Sequence, residues 1–230
     1  MIDQNIKIAV DGIVFGYEKG ILYVLAVQQR FGKLTNQWVL PGGFVKDDEP
    51  LLAAVERELK EEAGITVNYL EQLHTFGDDI HRDDRFRVIS VAYFALVNPQ
   101  NFVLKADTDA KDAKWFPVNQ LPALGYDHSD MVKLAHQRLK NKLTYQPIGF
   151  DLLGEEFLFS DLENLYCCIL ERDIDRRNFR KKILSFGIVN ETDKVVKIGA
   201  SGRPGKLFTF DKLKYNQLMK ENFQFDIRFA

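Results

Sequence analysis

The chain of 230 residues is 46% hydrophobic, 28% charged and 12% aromatic, and its 31 basic and 33 acidic side chains leave a net charge of −2. This is an ordinary globular composition, with apolar material for one large domain or two small ones. No apolar run reaches the roughly 18 residues of a membrane span, and Met1-Ile2-Asp3-Gln4-Asn5 lacks the basic-then-apolar layout of a signal peptide, so a cytoplasmic protein is expected. The cysteines, Cys167 and Cys168, are adjacent in a helical pattern and read as buried thiols of a reducing compartment, not as a disulfide or a zinc site.

Lys7 to Phe15 and Ile21 to Gln29 are apolar, β-branched runs on either side of Gly16-Tyr17-Glu18-Lys19-Gly20, the pattern of strand, turn and strand. Gln37 to Leu40 predicts a short strand that stops at Pro41-Gly42-Gly43. A helix is predicted over Pro50 to Ala63, with Asp47, Asp48 and Glu49 at its start, Pro50 in its first turn and Gly64 just past its end. Strands follow over Val67 to Phe76, Arg87 to Val97 and Lys114 to Pro117, and then a helix over Ser129 to Lys142. Tyr145-Gln146-Pro147-Ile148-Gly149-Phe150 is linker-like and divides the chain into residues 1–143 and 150–230. Beyond it, Ser160 and Glu163 have capping-box spacing ahead of a helix over Asp161 to Leu170. A very basic helix over Asp175 to Phe186 comes next, then strand-like Ile188 to Asn190 and Leu207 to Phe210 around a Lys- and Gly-rich loop.

The chemistry-bearing segment of the first part reads Gly43-x5-Glu49-x7-Arg57-Glu58-Leu59-x-Glu61-Glu62-x-Gly64-Ile65. On a helix, Glu58, Glu61 and Glu62 stand at i, i+3 and i+4 and crowd one face, while Leu52, Val55 and Leu59 lie on a neighbouring arc that can bury against a sheet. Like-charged pairs at that spacing cost about 0.2–0.5 kcal/mol each, and a solvated face would normally interleave lysine. The cluster makes sense as a holder of Mg²⁺, a hard ion that takes carboxylate and phosphate oxygens and activates water for attack at phosphorus. Gly42 and Gly43 would permit a tight turn, and Arg57 would brace the carboxylates.

This motif is the Nudix box, and residues 5–142 resemble Nudix hydrolases. The resemblance implies an αβα sandwich with a mixed sheet and assigns Glu58, Glu61 and Glu62 as ligands of Mg²⁺ (or Mn²⁺). Arg57 and Glu49 are then supporting residues, Gly43 lies at the ligand, and Glu61 is the general base, a role that varies among these enzymes. Arg82 and Arg85, in the loop His81 to Arg87, are candidates to reach phosphates or a terminal ribose, with a polar hairpin turn as the other reading. His128 precedes a helix and reads as a cap-region residue before a catalyst.

Between Arg172 and Lys206 stand ten basic and four acidic side chains, so this segment is +6 and the remainder −8. Such a patch attracts phosphate backbone within about a Debye length, roughly 8 Å. Helix, short connection, basic helix and two-strand hairpin are ordered as in a winged helix-turn-helix. Arg176, Arg177, Asn178, Arg180 and Lys181 would face the major groove of a double-stranded operator, and Arg203 and Lys206 of the hairpin would face the minor groove or backbone. Phe179, Ile183 and Leu184 would face the core.

Phe150-Asp151-Leu152-Leu153, the two helices and Gly202-Arg203-Pro204-Gly205-Lys206-Leu207-Phe208 are similar to the C-terminal domain of Nudix-related transcriptional regulators of the NrtR type. That resemblance spans nearly the whole chain. It implies a homodimeric regulator that binds DNA through a small winged helix and answers to ADP-ribose or a related nucleotide diphosphate. The alternatives are an ADP-ribose pyrophosphatase with an accessory C-terminal domain and a sugar-responsive regulator of the same architecture. The complete carboxylate set leaves residual hydrolysis open.

Overall fold

The computed structural model describes residues 5–106, 109–197, 204–221 and 225–227. The chain divides into two compact units, one of residues up to Glu18 with Leu22–Arg138, the other of Lys19–Ile21 with the residues from Leu139 onward.

In chain order the first unit carries β1 (Ile6–Glu18), β2 (Ile21–Gln29), β3 (Trp38–Val39), β4 (Gly42–Phe44) and α1 (Leu51–Ala63). There follow β5 (Leu70–Phe76), β6 (Arg87–Val97), β7 (Ala110–Pro117) and α2 (His128–Tyr145), whose residues from Leu139 onward belong to the second unit. The strands run β3-β2-β1-β6-β5, with β4 paired to β1 and β7 to β2. β1 and β6 are parallel, from Ile6 opposite Arg87 to Gly16 opposite Val97, whereas β4, β5, β3 and β7 pair antiparallel. The sheet is therefore mixed, as expected.

Because side chains alternate across a strand, β1 serves two layers. Val10 and Val14 join Val55 and Leu59 of α1 in one core. Asp11 and Phe15 point the other way and meet His128 and His136 of α2. This explains why β1 is mostly apolar from Ala9 to Phe15: both of its faces are covered there.

The signals at the ends of α1 hold with one shift. Pro50 is the residue ahead of the helix, with extended backbone, and Gly64 closes it in the left-handed conformation at φ 71°. Gly64 N–H bonds Lys60 O and Ile65 N–H bonds Leu59 O, which satisfies the last carbonyls. Val55 and Leu59 are fully buried, but Leu52 is 49% exposed: it sits on the outer turn, and its expected place in the core is corrected.

The second unit opens with a 3-10 turn, Ile148–Leu152, in which Ile148, Phe150 and Leu152 are buried. After it come β8 (Glu156–Leu158), α3 (Phe159–Leu170), α4 (Arg176–Ser185), β9 (Val189–Lys197), β10 (Pro204–Phe210) and α5 (Lys212–Lys220). β8, β10 and β9 form an antiparallel sheet with β10 central. Its core is aromatic: Phe150 stacks on Phe210 at 4.3 Å, and Phe159, Tyr166, Phe179 and Phe208 pack edge to face or tilted at 4.7–6.3 Å.

Three local expectations fail here for identifiable reasons. Helix α3 begins earlier, capped at Leu158, whose N–H donates to the Asp161 carboxylate, so Ser160 is already helical. Leu184 is 38% exposed while Phe179 and Ile183 are buried, because the core covers a narrower arc of α4. Cys167 and Cys168 are not disulfide-bonded and are only half-buried.

Gly12 marks the closest approach of β1 to α1: a Cβ there would lie 2.9 Å from Leu59 Cδ2. Gly12→Val is expected to lower stability by about 1–3 kcal/mol, the usual cost of overpacking, read as a lower urea midpoint with an unchanged slope.

Candidate ligand cleft and nucleic-acid interface

Three elements converge at the double glycine. β4 pairs with β1, Asp11 opposite Gly42 and Val10 opposite Gly43, and α1 brings its carboxylates to the same point. Gly42 N–H donates to Glu62 Oε2 at 2.9 Å. A Cβ on Gly42 would lie 2.3 Å from Val10 O, and one on Gly43 2.4 Å from Glu58 Oε1. Neither residue has positive φ, so the expectation of a conformationally demanding turn is corrected: Gly42 is required for space against the β1 backbone, whereas a side chain on Gly43 would displace the Glu58 carboxylate.

Arg57 braces the cluster. Its Nε and Nη2 take both Glu49 oxygens, at 2.7 and 2.8 Å, and its Nη1 reaches Glu58 at 2.6 Å and Glu61 at 3.3 Å. The hydrogen bonds from Arg57 hold the Glu49 carboxyl down at about 2 and raise the guanidinium above its usual range. Glu58 and Glu62 are buried, and desolvation drives both upward, Glu62 to about 8. Glu61 has a side chain 41% exposed. The three carboxylates do not share one point: Glu58 and Glu62 face the glycines, and Glu61 stands at the rim. No group of three metal-binding side chains is already converged among the described residues.

The donor chemistry nevertheless fits a hard divalent cation. Glu58 and Glu62 are buried carboxylates pushed upward by desolvation, with Arg57 beside Glu58 as the basic partner among the described residues, and oxygen donors suit such an ion. Nudix hydrolases in general work with a divalent metal ion.

Beside the carboxylates lies an open cleft lined by Asp11, Leu40, Gly42, Gly43, Phe44, Arg82, Arg85, Tyr126 and His128. Arg82 and Arg85 are both on its wall, though each is engaged. Arg82 makes a bidentate pair with Asp127 at 2.9 and 2.6 Å. Arg85 pairs with Asp83 and donates to the Tyr126 hydroxyl at 2.9 Å.

The floor holds Asp11, backed by the buried Ser90, neither of which any sequence pattern singles out, and His128 in a role beyond that of a cap. Asp11 accepts from the Ser90 hydroxyl and stands 3.3 Å from His128 Nε2. Leu40 N–H donates to His128 Nδ1 at 2.9 Å. Nδ1 is thus an acceptor, and the ring carries its proton on Nε2. Burial, with help from Arg82, drives the imidazole pKa down against the pull of Asp11 and Asp127. His128 is the first residue of α2 and ties that helix to the β3–β4 segment.

In the second unit, α4 presents Arg177 and Lys181 exposed and without partners among the described residues. Arg176 reaches Glu163 at 3.2 Å and Asn164 at 3.0 Å on α3. Asn178 is bound to Asp175, which caps α4 through the Asn178 N–H at 3.0 Å. Arg180 lies 4.3 Å over the Phe159 ring and 5.1 Å over Phe208. Lys206 pairs with Glu191 across the hairpin. Arg203 lies outside the described residues.

One consequence of the Glu62 environment is measurable without any ligand. Its folded-state pKa of about 8 exceeds its ordinary 4.5, so its contribution to stability is full below about pH 4.5 and is lost as pH rises through 8. Glu62→Gln, which keeps an acceptor for Gly42 N–H, is expected to raise the metal-free melting temperature at pH 8.5 and change it little at pH 5. A gain near 2–4 °C would accompany each kcal/mol recovered; an equal effect at both pH values would contradict the assignment.

Comparison with known proteins places these features in a family. A NUDIX domain model matches residues 6–137 and a model of the NrtR DNA-binding winged helix domain matches residues 149–210. The ADPR-responsive transcriptional repressor NtrR of Acinetobacter baylyi is 33% identical over 211 residues, 90% of this chain and 83% of that protein. The crystal structure of Shewanella oneidensis NrtR complexed with a 27mer DNA superposes with a TM-score of 0.79 at 27% identity, over 96% of this chain and 99% of that one. The NUDIX domain of Shewanella oneidensis NrtR complexed with ADP ribose matches at 33% identity and a TM-score of 0.54, over 60% of this chain and 90% of that one. No helix among the described residues is long and apolar enough to cross a membrane. With a Nudix fold, its carboxylate box, and a winged helix in one chain, the protein belongs to the family of NrtR-type Nudix-related transcriptional regulators.

Proposed function

We propose that the chain is a transcriptional repressor that binds operator DNA through its winged helix and releases it when ADP-ribose occupies the Nudix cleft. The observation that carries this reading is the union, in one chain, of a cleft beside Glu58 and Glu62 with a basic helix whose Arg177 and Lys181 are free among the described residues. Similarity over 90% of the chain to an ADPR-responsive repressor supports the choice of ligand and sign.

In the Nudix unit, Glu58 and Glu62 would hold Mg²⁺ (or Mn²⁺) with Glu61 from the rim. When bound, that ion would neutralise a diphosphate. Arg57 and Glu49 keep Glu58 in place, and Gly43 lets the ligand and the carboxylates approach closely. Arg82 and Arg85 form the opposite wall, where ribose or phosphate oxygens would exchange with their present carboxylate partners. In the winged helix, Arg177 and Lys181 would contact the DNA directly, Asn178, Arg180, Arg203 and Lys206 would be further DNA contacts, and Arg176 orients α4 on α3. As functional domains, 1–143 would serve the ligand and 150–230 the DNA. As a homodimer, the protein would present two such helices about one DNA turn, roughly 34 Å, apart, and a ligand that binds the two states unequally would shift their spacing.

The deciding experiment is an anisotropy titration with DNA from the gene's own upstream region at fixed salt, with and without ADP-ribose and Mg²⁺. Tight binding weakened by ADP-ribose supports the proposal; binding indifferent to it removes ADP-ribose as the signal and favours a sugar. Arg177→Ala with Lys181→Ala is expected to weaken DNA binding and make its salt dependence shallower, by about 0.9 for each phosphate no longer neutralised, leaving ADP-ribose affinity intact. An unchanged slope would remove α4 from the interface.

A second reading follows from the intact Glu49, Arg57, Glu58, Glu61 and Glu62 set: the cleft also cleaves ADP-ribose slowly. Chromatography of ADP-ribose incubated with the protein and Mg²⁺ should reveal AMP, and Glu62→Gln should abolish it while DNA binding persists. Absence of AMP after prolonged incubation would leave a sensor alone.

A further inference from the structure

The edge of the cleft is a short stretch, Leu40-Pro41-Gly42, whose backbone leaves regular pairing. β3 ends at Val39, its last residue paired with β2, and β4 resumes at Gly42. Pro41 has no N–H to donate. Three polar backbone groups of this stretch each go to a different element. Pro41 O accepts from Gly12 N–H of β1 at 2.8 Å, Gly42 N–H donates to Glu62 of α1 at 2.9 Å, and Leu40 N–H donates to His128 of α2 at 2.9 Å. Leu40 is 1% exposed, so no water is at hand to replace the imidazole, and an unsatisfied buried N–H is costly.

A second attachment lies just upstream on the same two segments. Gly125 N–H donates to Trp38 O at 2.9 Å. Between the two attachments Tyr126 is held at φ 55°, a region that a side-chain-bearing residue occupies only when its surroundings over-determine it. The loop into α2 and the cleft edge are thus stitched together at both ends, and the His128 ring that accepts from Leu40 N–H also faces Asp11 in the floor.

We infer that His128 is a positioning residue for the ligand: its neutral imidazole, accepting from Leu40 N–H, holds Leu40–Gly43 in the conformation that receives ADP-ribose. This rests on the proposed ligand, and it makes the first turn of α2 part of the binding site without direct contact to the reacting atoms. If the edge is correctly placed only when the acceptor is present, loss of that acceptor lowers the competent fraction and with it the apparent affinity.

Two substitutions separate this from a general packing role. Asparagine at 128 places an oxygen acceptor near the Nδ1 position, whereas glutamine reaches towards Asp11 and leaves Leu40 N–H without a partner. In the full-length protein, His128→Asn is expected to bind ADP-ribose within about threefold of the original chain. His128→Gln should bind at least about tenfold more weakly, equivalent to about 1.4 kcal/mol. Hydrogen exchange at the Leu40 amide should accelerate at least about tenfold in His128→Gln alone. Full affinity or slow Leu40 exchange in His128→Gln would overturn the inference, as would equal loss in both variants. Should both variants misfold, nitrogen NMR of the unsubstituted protein decides: the ring must be the Nε2–H tautomer near pH 7, and a protonated or Nδ1–H ring would overturn it. Failure of the unsubstituted chain to bind ADP-ribose would instead sink the proposed ligand, and exchange and tautomer would then judge the positioning role alone.

Discussion

The hydrogen bond from Gly42 N–H to the buried Glu62 carboxyl is the constraint on which the Nudix unit depends. It fastens the last turn of α1 to the strand that crosses Asp11, and so fixes where the other carboxylates stand. Glu58 follows because Gly43 has no side chain to keep it away, and Arg57 follows because Glu58 and Glu49 lie on either side of it. The arrangement concentrates negative charge where water is scarce. Like-charged neighbours and burial together disfavour ionisation, and this is an arrangement that a cation relieves. A core designed only for stability would have placed leucine there.

The winged helix solves a different problem. A helix as basic as α4 has little apolar surface with which to hold itself in place, since only Phe179 and Ile183 are buried. The unit compensates with rings: Phe159 and Tyr166 pack against Phe179, Phe208 packs against Phe159, and Phe150 stacks on Phe210. Aromatic pairs add about 0.5–1.5 kcal/mol beyond the area they bury, and in this way a small domain keeps a charged helix on its surface.

What the sequence disclosed was what repeats at short range. The box from Gly43 to Ile65 lies within two elements, and the strands β2 and β6 were bounded at the residues where they occur. The order of α3, α4 and hairpin was equally legible. The cleft floor was not, because its bonds join residues far apart: Leu40 to His128 across 88 positions and Ser90 to Asp11 across 79. Nothing local distinguishes such an aspartate on an apolar strand. β4 and β8, each three residues long, are too short for alternation to register, and the Pro-Gly-Gly preceding Phe44 reads as a turn. The cap of α3 was misplaced because Leu158 contributes only its backbone while Asp161 does the capping.

Arg180 carries a consequence for how DNA would be met. A free arginine or lysine gives up about 2 kcal/mol of rotamer freedom when it is fixed on a phosphate. Arg180 is already laid across the Phe159 and Phe208 rings, so much of that freedom is lost when the domain folds. The basic face of α4 therefore combines side chains of two kinds. Under the proposed function, Arg177 and Lys181 would follow a phosphate wherever the backbone presents it, and Arg180 would offer its charge beside the two rings. Adaptable contacts tolerate many sequences, whereas a fixed one favours DNA whose shape brings a phosphate or a base to that place. Under that proposal, discrimination among sites would begin at the arginine laid across the Phe159 and Phe208 rings.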